Sequence, residues 1–303
     1  DEVENFEEYR DISKNFQQRE ENMRCNLSMV IIGLMAIFIL SGNAFAEELL
    51  LFCGAAFKKP IDEVISLYEK RTGTNIHASY GGVKIILSQA ILTKQGDVFV
   101  VPSPDIMDTA VEKGVVHKGS IRGFSYAVPA IIVHKGNPQN IEGLKDLLRH
   151  DVRFAMANPE NVYIGMLTAE IFDRNLSRSE RDILKKKVLT YAEDISKLTT
   201  YLIMNQVDAV LGFDFLKGWN PDKTDIVKLK KEEVIRIGAG QAGVMTYSRD
   251  MEKAKKFIDF LLSVDGQNVF RKYGYLATEE DAFVGKKVEI GGKPEFAEEW
   301  ITK

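Results

Sequence analysis

Cysteine and histidine are scarce in this sequence, and their scarcity argues against several kinds of site. Cys25 and Cys53 are the only cysteines among 303 residues, too few for a disulfide framework. The histidines at positions 77, 117, 134 and 150 are dispersed, and no two of them have the spacing of metal ligands. The sequence also contains no GxSxG, HExxH or P-loop motif. We therefore expect no metal, no cofactor and no catalytic activity.

Excess positive charge is also missing. The formal net charge is −4 and the isoelectric point is about 5.8, so the chain has no basic footprint for a nucleic-acid partner. Any anionic ligand would have to be held by local groups instead of by overall charge. The composition, 45% apolar and 28% charged, is that of an ordinary globular protein.

Long apolar runs are confined to one stretch near the start of the chain. A short basic beginning at residues 23–24 precedes the apolar residues 27–40, and the small-x-small pattern of a cleavage site follows at residues 44–46. This order is typical of a secretory signal peptide, with cleavage after Ala46. The apolar run is shorter than the roughly 20 residues that span a bilayer. The pattern therefore predicts a cleaved signal at residues 23–46 and a location in the periplasm.

Residues 1–22 do not suit the beginning of a signal peptide, because they are acidic and lack apolar periodicity. We interpret them as an upstream extension that is not native to the protein, with Met23 as the initiator. The alternative is a cytoplasmic tail before an uncleaved anchor. Removal of the first 46 residues would leave Cys53 as the one cysteine. It lies in an apolar run and is interpreted as a small buried side chain.

The remaining 257 residues predict two α/β lobes. Strands and helices alternate up to residue 112, and a second α/β unit occupies residues 144–213. Two extended segments connect the units, at residues 125–134 and 235–247. The first contains a proline, which favours a crossover between lobes over a central strand. We predict two doubly wound lobes, the first comprising residues 47–127 and 243–303 and the second residues 128–242.

Three predicted loops have the same order, in which a strand ends, small or polar residues follow, and a helix begins. They are residues 53–56, 80–83 and 158–163. The carboxyl ends of strands in such sheets face the ligand crevice, and helix N-termini offer unpaired N–H groups to an oxyanion. A cleft between lobes is a usual place for a ligand. The three loops therefore predict an anion site in the cleft, although each by itself is also an ordinary strand–helix turn.

The sequence resembles the periplasmic molybdate- and tungstate-binding proteins of ABC importers. The resemblance rests on stretches in family order that cover nearly all of the chain after residue 46, among them FCGAAFKKPIDEV at 52–64, SYGGVKIILSQ at 79–89 and VDAVLGFD at 207–214. It implies a type II periplasmic-binding fold and a monomer that delivers a small oxyanion to an ABC permease in the inner membrane. It also implies that the ligand residues are Ala55, Ala56, Gly81, Gly82, Val83, Asn161, Val162, Tyr163, Phe213 and Asp214.

The ligand loops depart from the family pattern at three places. Ala56 stands where serine or glycine is usual, Val83 and Lys84 replace a pair rich in serine, and Phe213 replaces a tyrosine or similar polar residue. An oxyanion oxygen left without a hydrogen bond costs about 1–3 kcal/mol or more. Either backbone groups suffice, or the ligand is another anion. Lys84 is a further candidate ligand residue, and the alternative for it is a solvated lysine on a helix surface.

The expected function is therefore capture of a molybdate- or tungstate-like oxyanion for an ABC importer. The alternative is a sensory or regulatory binding protein for a different anion, such as an organic one. An enzyme is disfavoured because no pair of nucleophile and base is recognisable in the sequence.

Overall fold

The computed structural model describes residues 48–300. The predicted signal peptide, its cleavage site and the upstream extension lie outside the described residues. Within residues 48–300, no helix is long and apolar enough to cross a membrane.

The first lobe is built on a sheet with the strand order β11-β10-β3-β1-β2, and β4 also pairs with β10. The pairs β1–β2 and β1–β3 are parallel, whereas β10 runs antiparallel to both β3 and β4. Its strands are β1 (Glu48–Gly54), β2 (Asn75–Gly81), β3 (Val98–Val101), β4 (Arg122–Ala127), β10 (Arg236–Val244) and β11 (Glu289–Ile290). Every residue of β3 is buried, as expected of a strand covered on both faces.

Up to residue 112 the helices of the first lobe alternate with strands, as predicted. The helices of this lobe are α1 (Lys58–Thr72), α2 (Val83–Thr93), α3 (Pro104–Glu112), α8 (Met251–Leu262) and α9 (Val264–Lys272). In α1 the buried positions Pro60, Ile61, Val64, Ile65 and Tyr68 lie on one face. This spacing of three and four residues turns an apolar stripe toward the sheet.

The second lobe has a five-stranded sheet with the order β7-β6-β8-β5-β9. Its strands are β5 (Pro129–His134), β6 (Phe154–Ala157), β7 (Val188–Ala192), β8 (Ala209–Phe213) and β9 (Thr224–Lys228). Its helices are α4 (Tyr163–Asn175), α5 (Arg178–Lys187), α6 (Ile195–Ile203) and α7 (Leu216–Trp219). At the predicted beginning of the second α/β unit lies a 3-10 turn, Leu144–Leu148.

Helix α5 was not predicted from the sequence, although its beginning carries a recognisable signal. Ser177 and Glu180 have the spacing of a capping box, in which each side chain pairs with the other residue's backbone N–H. The Ser177 N–H donates to Glu180 Oε2 at 2.8 Å. This short helix and β7 follow α4, so the connection between β6 and β7 holds two helices instead of one.

The crossings between the lobes differ in part from the predicted boundaries. The first occurs at Val128, between β4 and β5, where a boundary was expected. Pro129 is the first residue of β5, a position at which a strand tolerates proline. The return occurs at residues 229–235, because β10 already belongs to the first sheet. Residues 236–242, assigned to the second lobe from the sequence, therefore lie in the first, since their strand pairs with β3 and β4.

The single cysteine of the described residues is buried as predicted. Cys53 is 0% exposed, and burial raises the pKa of its thiol well above the usual value.

We expect native protein carrying Cys25→Ser to react with a thiol reagent such as dithionitrobenzoate only when the fold opens, because a buried neutral thiol is a poor nucleophile. Labelling in buffer and in guanidinium chloride checks this. One equivalent of rapid labelling in buffer would show that Cys53 is accessible.

Candidate functional site

Two strand–helix junctions of the first lobe form one side of the site. β1 ends at Gly54, and a 3-10 turn, Ala55–Phe57, leads into α1. β2 ends at Gly81, and Gly82 is the N-cap of α2. Because β1 and β2 are adjacent and parallel, both junctions lie at the same edge of the sheet. The small residues leave the backbone of both turns open to close approach.

Two junctions of the second lobe form the opposite side. Asn158 fixes the turn after β6: its backbone oxygen accepts from the N–H of Val162 at 2.9 Å, and its side-chain Oδ1 accepts from the N–H of Glu160 at 2.8 Å. The turn delivers the chain to α4, whose first residue is Tyr163. The fourth junction follows β7, where Asp194 is the N-cap of α6 and accepts from the Lys197 N–H at 2.8 Å.

The four junctions enclose a small cavity between the lobes. The centre of a water molecule can occupy about 20 Å³ of it, a volume suited to one water or a small ion. The cavity is lined by Gly54, Ala55, Ala56, Gly81, Gly82, Val83, Pro102, Val162, Tyr163, Ile164, Asp194, Ile195 and Phe213.

The lobes touch beside this cavity. A Cβ atom added to Gly82 would lie 2.8 Å from the backbone oxygen of Asn161 and 3.0 Å from that of Glu193, both in the second lobe. The backbone N–H of Lys84 also donates to the Asn161 oxygen at 3.5 Å. The structure is therefore that of a closed pair of lobes, and glycine at position 82 permits the contact.

Side chains contribute little polarity to the cavity. Its lining residues include no lysine, arginine, histidine, serine or threonine. Asp194 caps its own helix, and burial raises the pKa of Tyr163 well above the usual value, which keeps the phenol neutral. What remains are the first-turn N–H groups of the helices, which have no acceptor within their own helix and carry a partial positive charge. Within residues 48–300, no group of three or more His, Cys, Asp and Glu side chains is arranged to hold a metal.

The structure brings most of the predicted ligand residues to this cavity. Ala55, Ala56, Gly81, Gly82, Val83, Val162, Tyr163 and Phe213 all line it. Five further residues that were not among the predicted ligand residues also line the cavity: Gly54, Pro102, Ile164, Asp194 and Ile195. Asp194 and Ile195 belong to the fourth junction, which has the same order of strand, short turn and helix N-cap as the three that were recognised. The order of strand, short turn and N-cap could therefore have predicted the fourth junction from the sequence.

Lys84, Asn161 and Asp214 were expected at the site but do not line the cavity. The Lys84 side chain is exposed, because it lies on the outer face of α2. Asn161 contributes its backbone oxygen to the contact between the lobes. Asp214 turns toward the first crossing, where its Oδ1 accepts from the N–H groups of Val128 at 3.1 Å and Phe215 at 3.0 Å.

Comparison with known proteins identifies the family. A family model described as "Bacterial extracellular solute-binding protein" matches residues 49–276. The chain belongs to this family. It is 24% identical over 269 residues to the molybdate-binding protein of Azotobacter vinelandii, covering 84% of this chain and 99% of that protein. The resemblance to molybdate-binding proteins is thus confirmed.

Solved structures confirm the type II periplasmic-binding fold. PEB3 of Campylobacter jejuni, solved with L-phospholactate bound, superposes with a TM-score of 0.61 at 18% identity, covering 76% of this chain and 100% of that one. The sulfate-binding protein SubI of Mycobacterium tuberculosis superposes with a TM-score of 0.68 at 16% identity, covering 81% and 94%. At these identities the likeness concerns the fold of this solute-binding protein and not its ligand.

We expect Gly82→Ala to prevent full closure, because its methyl group would overlap the backbone oxygens of Asn161 and Glu193. The radius of gyration from small-angle scattering should rise, while circular dichroism stays native. Gly119→Ala is the matched control, since a Cβ there meets nothing within 4 Å. Equal scattering from Gly82→Ala and the unmodified protein would contradict the closed arrangement.

Asp214 should make stability depend on pH. Burial is the largest cause that raises its pKa, to about 6, so the folded state binds a proton that the unfolded state releases between about pH 4 and 6. The stability that this proton contributes is present at low pH and is lost as the pH rises through 6. The free energy of unfolding of Asp214→Asn, relative to that of the unmodified protein, should therefore rise by on the order of 1–3 kcal/mol as the pH increases from 4 to 7.

Urea unfolding of both proteins at several pH values measures this difference. A difference in unfolding free energy that stays constant from pH 4 to pH 7 would show that Asp214 does not titrate in this range.

Proposed function

We propose that the protein is a periplasmic solute-binding protein that captures a small tetrahedral oxyanion, molybdate or tungstate, and delivers it to an ABC permease. The observation that carries this proposal is the convergence of four strand–helix junctions, two from each lobe, on one small cavity. An anion in that cavity accepts hydrogen bonds from the first-turn N–H groups of the surrounding helices. The predicted signal and cleavage after Ala46 would place the protein in the periplasm.

The chemistry of the lining supports recognition by backbone groups. Ala56, Val83 and Phe213 remove hydroxyl contacts that the resemblance implies for related sites. Ala55 and Ala56 lie in the tight turn after β1, and Val83, Ile164 and Ile195 in the first turns of their helices. We propose that their N–H groups hold the anion in place of the absent hydroxyls. Closure excludes water and so strengthens these hydrogen bonds.

The size of the cavity favours an inorganic oxyanion over an organic one. Room for the centre of about one water molecule suits a compact ion. A phosphate group with an organic substituent, as in the L-phospholactate bound by PEB3, would require the lobes to lie further apart. No pair of nucleophile and general base lines the cavity, so we assign binding and not catalysis to this site.

Isothermal titration calorimetry with molybdate, tungstate, sulfate, phosphate and L-phospholactate tests the ligand. We expect the tightest binding for molybdate and tungstate, because the matched protein of Azotobacter vinelandii is a molybdate-binding protein. Ala56→Ser, which adds a hydroxyl at the cavity, should tighten molybdate binding by about fivefold, the effect of a hydrogen bond worth about 1 kcal/mol.

Lys84→Ala is the matched control for that variant and should leave the affinity unchanged, since the lysine side chain is exposed. Binding of L-phospholactate without any response to molybdate or tungstate would replace the proposed ligand with an organic anion. Loss of molybdate binding in Lys84→Ala would return the lysine to the site.

A further inference from the structure

The last part of the described chain lies beyond the residues that match the family model and contacts both lobes. We call residues 289–300 the C-terminal strap. At its beginning, β11 pairs with β10 of the first lobe, and the Gly291 N–H donates to the Ile237 oxygen at 2.8 Å. Gly291 has a φ of +62° and packs so closely on Pro104 that a side chain would overlap it. The beginning of the strap is thus fixed to the first lobe, and the chain then continues to the second lobe.

The other end of the strap is anchored on α4 and α5 of the second lobe. Trp300 is 1% exposed, its ring lies 5.6 Å from that of Phe172, and its Nε1 donates to Asp173 Oδ1 at 2.8 Å. Glu299 forms an ion pair with Arg181 at 3.3 Å. The sequence analysis assigned these residues to the first lobe, and the structure corrects this. The strap is therefore a third crossing between the lobes.

A buried ion pair connects the lobes beneath the strap. Arg236, the first residue of β10, donates from Nε and Nη2 to both oxygens of Glu170 on α4, each at 2.7 Å. Glu170 is 0% exposed and Arg236 is 5% exposed. Removing one partner of such a pair strands the other charge in a poorly solvated place, so separation of these two elements is unfavourable.

The strap completes the surroundings of this ion pair. The backbone oxygen of Gly291 accepts from Arg236 Nη1 at 3.0 Å, and the Glu295 N–H donates to Glu170 Oε1 at 3.1 Å. The strap therefore supplies hydrogen bonds to both charges. Without it, the pair would lose these partners and gain access to water, which weakens the attraction between the charges.

The same helix links the strap to the ligand cavity. Tyr163, which lines the cavity, donates its hydroxyl to the Gly292 oxygen at 3.4 Å. Glu170 lies two turns further along α4, and Asp173 one turn beyond that. The strap thus contacts α4 from its first turn at the cavity to its last turns at Trp300. It fixes the orientation of the helix whose N-terminus faces the cavity.

We propose that the C-terminal strap is a latch that stabilises the closed arrangement of the lobes and thereby slows release of the bound anion. Opening the lobes requires either a rotation that spares all three crossings or the loss of strap contacts on one lobe. Each contact made only in the closed state shifts the population toward it. The effect on release rests on the proposed function, whereas the effect on closure concerns the ligand-free protein alone.

Distances between spin labels on the two lobes test the latch without any ligand. In a Cys25→Ser background, Leu92→Cys on α2 and Met204→Cys after α6 provide labelling sites that are 82% and 64% exposed, whereas Cys53 is buried. Trp300→Ala removes the anchor, and Glu299→Lys places a cation against Arg181. We expect a second population at longer distance in both variants. Phe283→Ala, at an exposed position before the strap, is the matched control and should show the single distance of the unmodified protein.

Identical distance distributions in the unmodified protein and in folded Glu299→Lys would overturn the latch. This milder variant decides the question if Trp300→Ala does not fold. Stopped-flow release of molybdate gives the second readout, and we expect the dissociation rate to rise about tenfold in the strap variants, equivalent to about 1.4 kcal/mol. If the unmodified protein binds no molybdate, the proposed ligand fails, while the distance measurement still decides the latch.

Discussion

Backbone N–H groups at the first turns of helices have no acceptor inside their own helix, and this constraint dominates the site. Four strand–helix junctions bring such N–H groups to one cavity, where the lining side chains offer them few hydrogen-bond acceptors. An isolated helix would satisfy these groups with water, but the two lobes exclude most of it when they close. A small anion satisfies several donors at once and meets the positive ends of the helices. The cavity is therefore suited to an anionic ligand, although no positively charged side chain lines it.

Closure of the two lobes depends on small residues at their contact as well as on attractive interactions between them. The backbone of Gly82 lies against the second lobe at a separation that leaves no space for a methyl group. Asp214 acts at another place in the closed structure, because its carboxylate accepts a hydrogen bond from the backbone of the first crossing. One residue permits the lobes to meet, and the other fixes a segment about which they would move. Neither needs to contact the ligand in order to affect its binding.

The lobes are also held from outside the cleft. The Arg236–Glu170 pair, the ring of Trp300 and the strap between them form a continuous set of contacts from β10 to α4. Charges in such a place are costly to separate, and their hydrogen bonds come from the strap itself. We therefore infer that a segment following the family-matched region contributes to the conformational equilibrium of this protein.

Patterns in the sequence were sufficient to predict the alternation of strands and helices, the first crossing, the burial of Cys53 and most of the cavity lining. These features are local, since they follow from apolar periodicity, from glycine and proline positions and from the order of strand, turn and helix. The tertiary structure alone decided which side chains turn away, as with Lys84 and Asp214, because one helical turn or one hydrogen bond redirects them. It also decided the return crossing and the path of the strap, since strand pairing and ion pairs between distant residues leave no periodic trace in the chain.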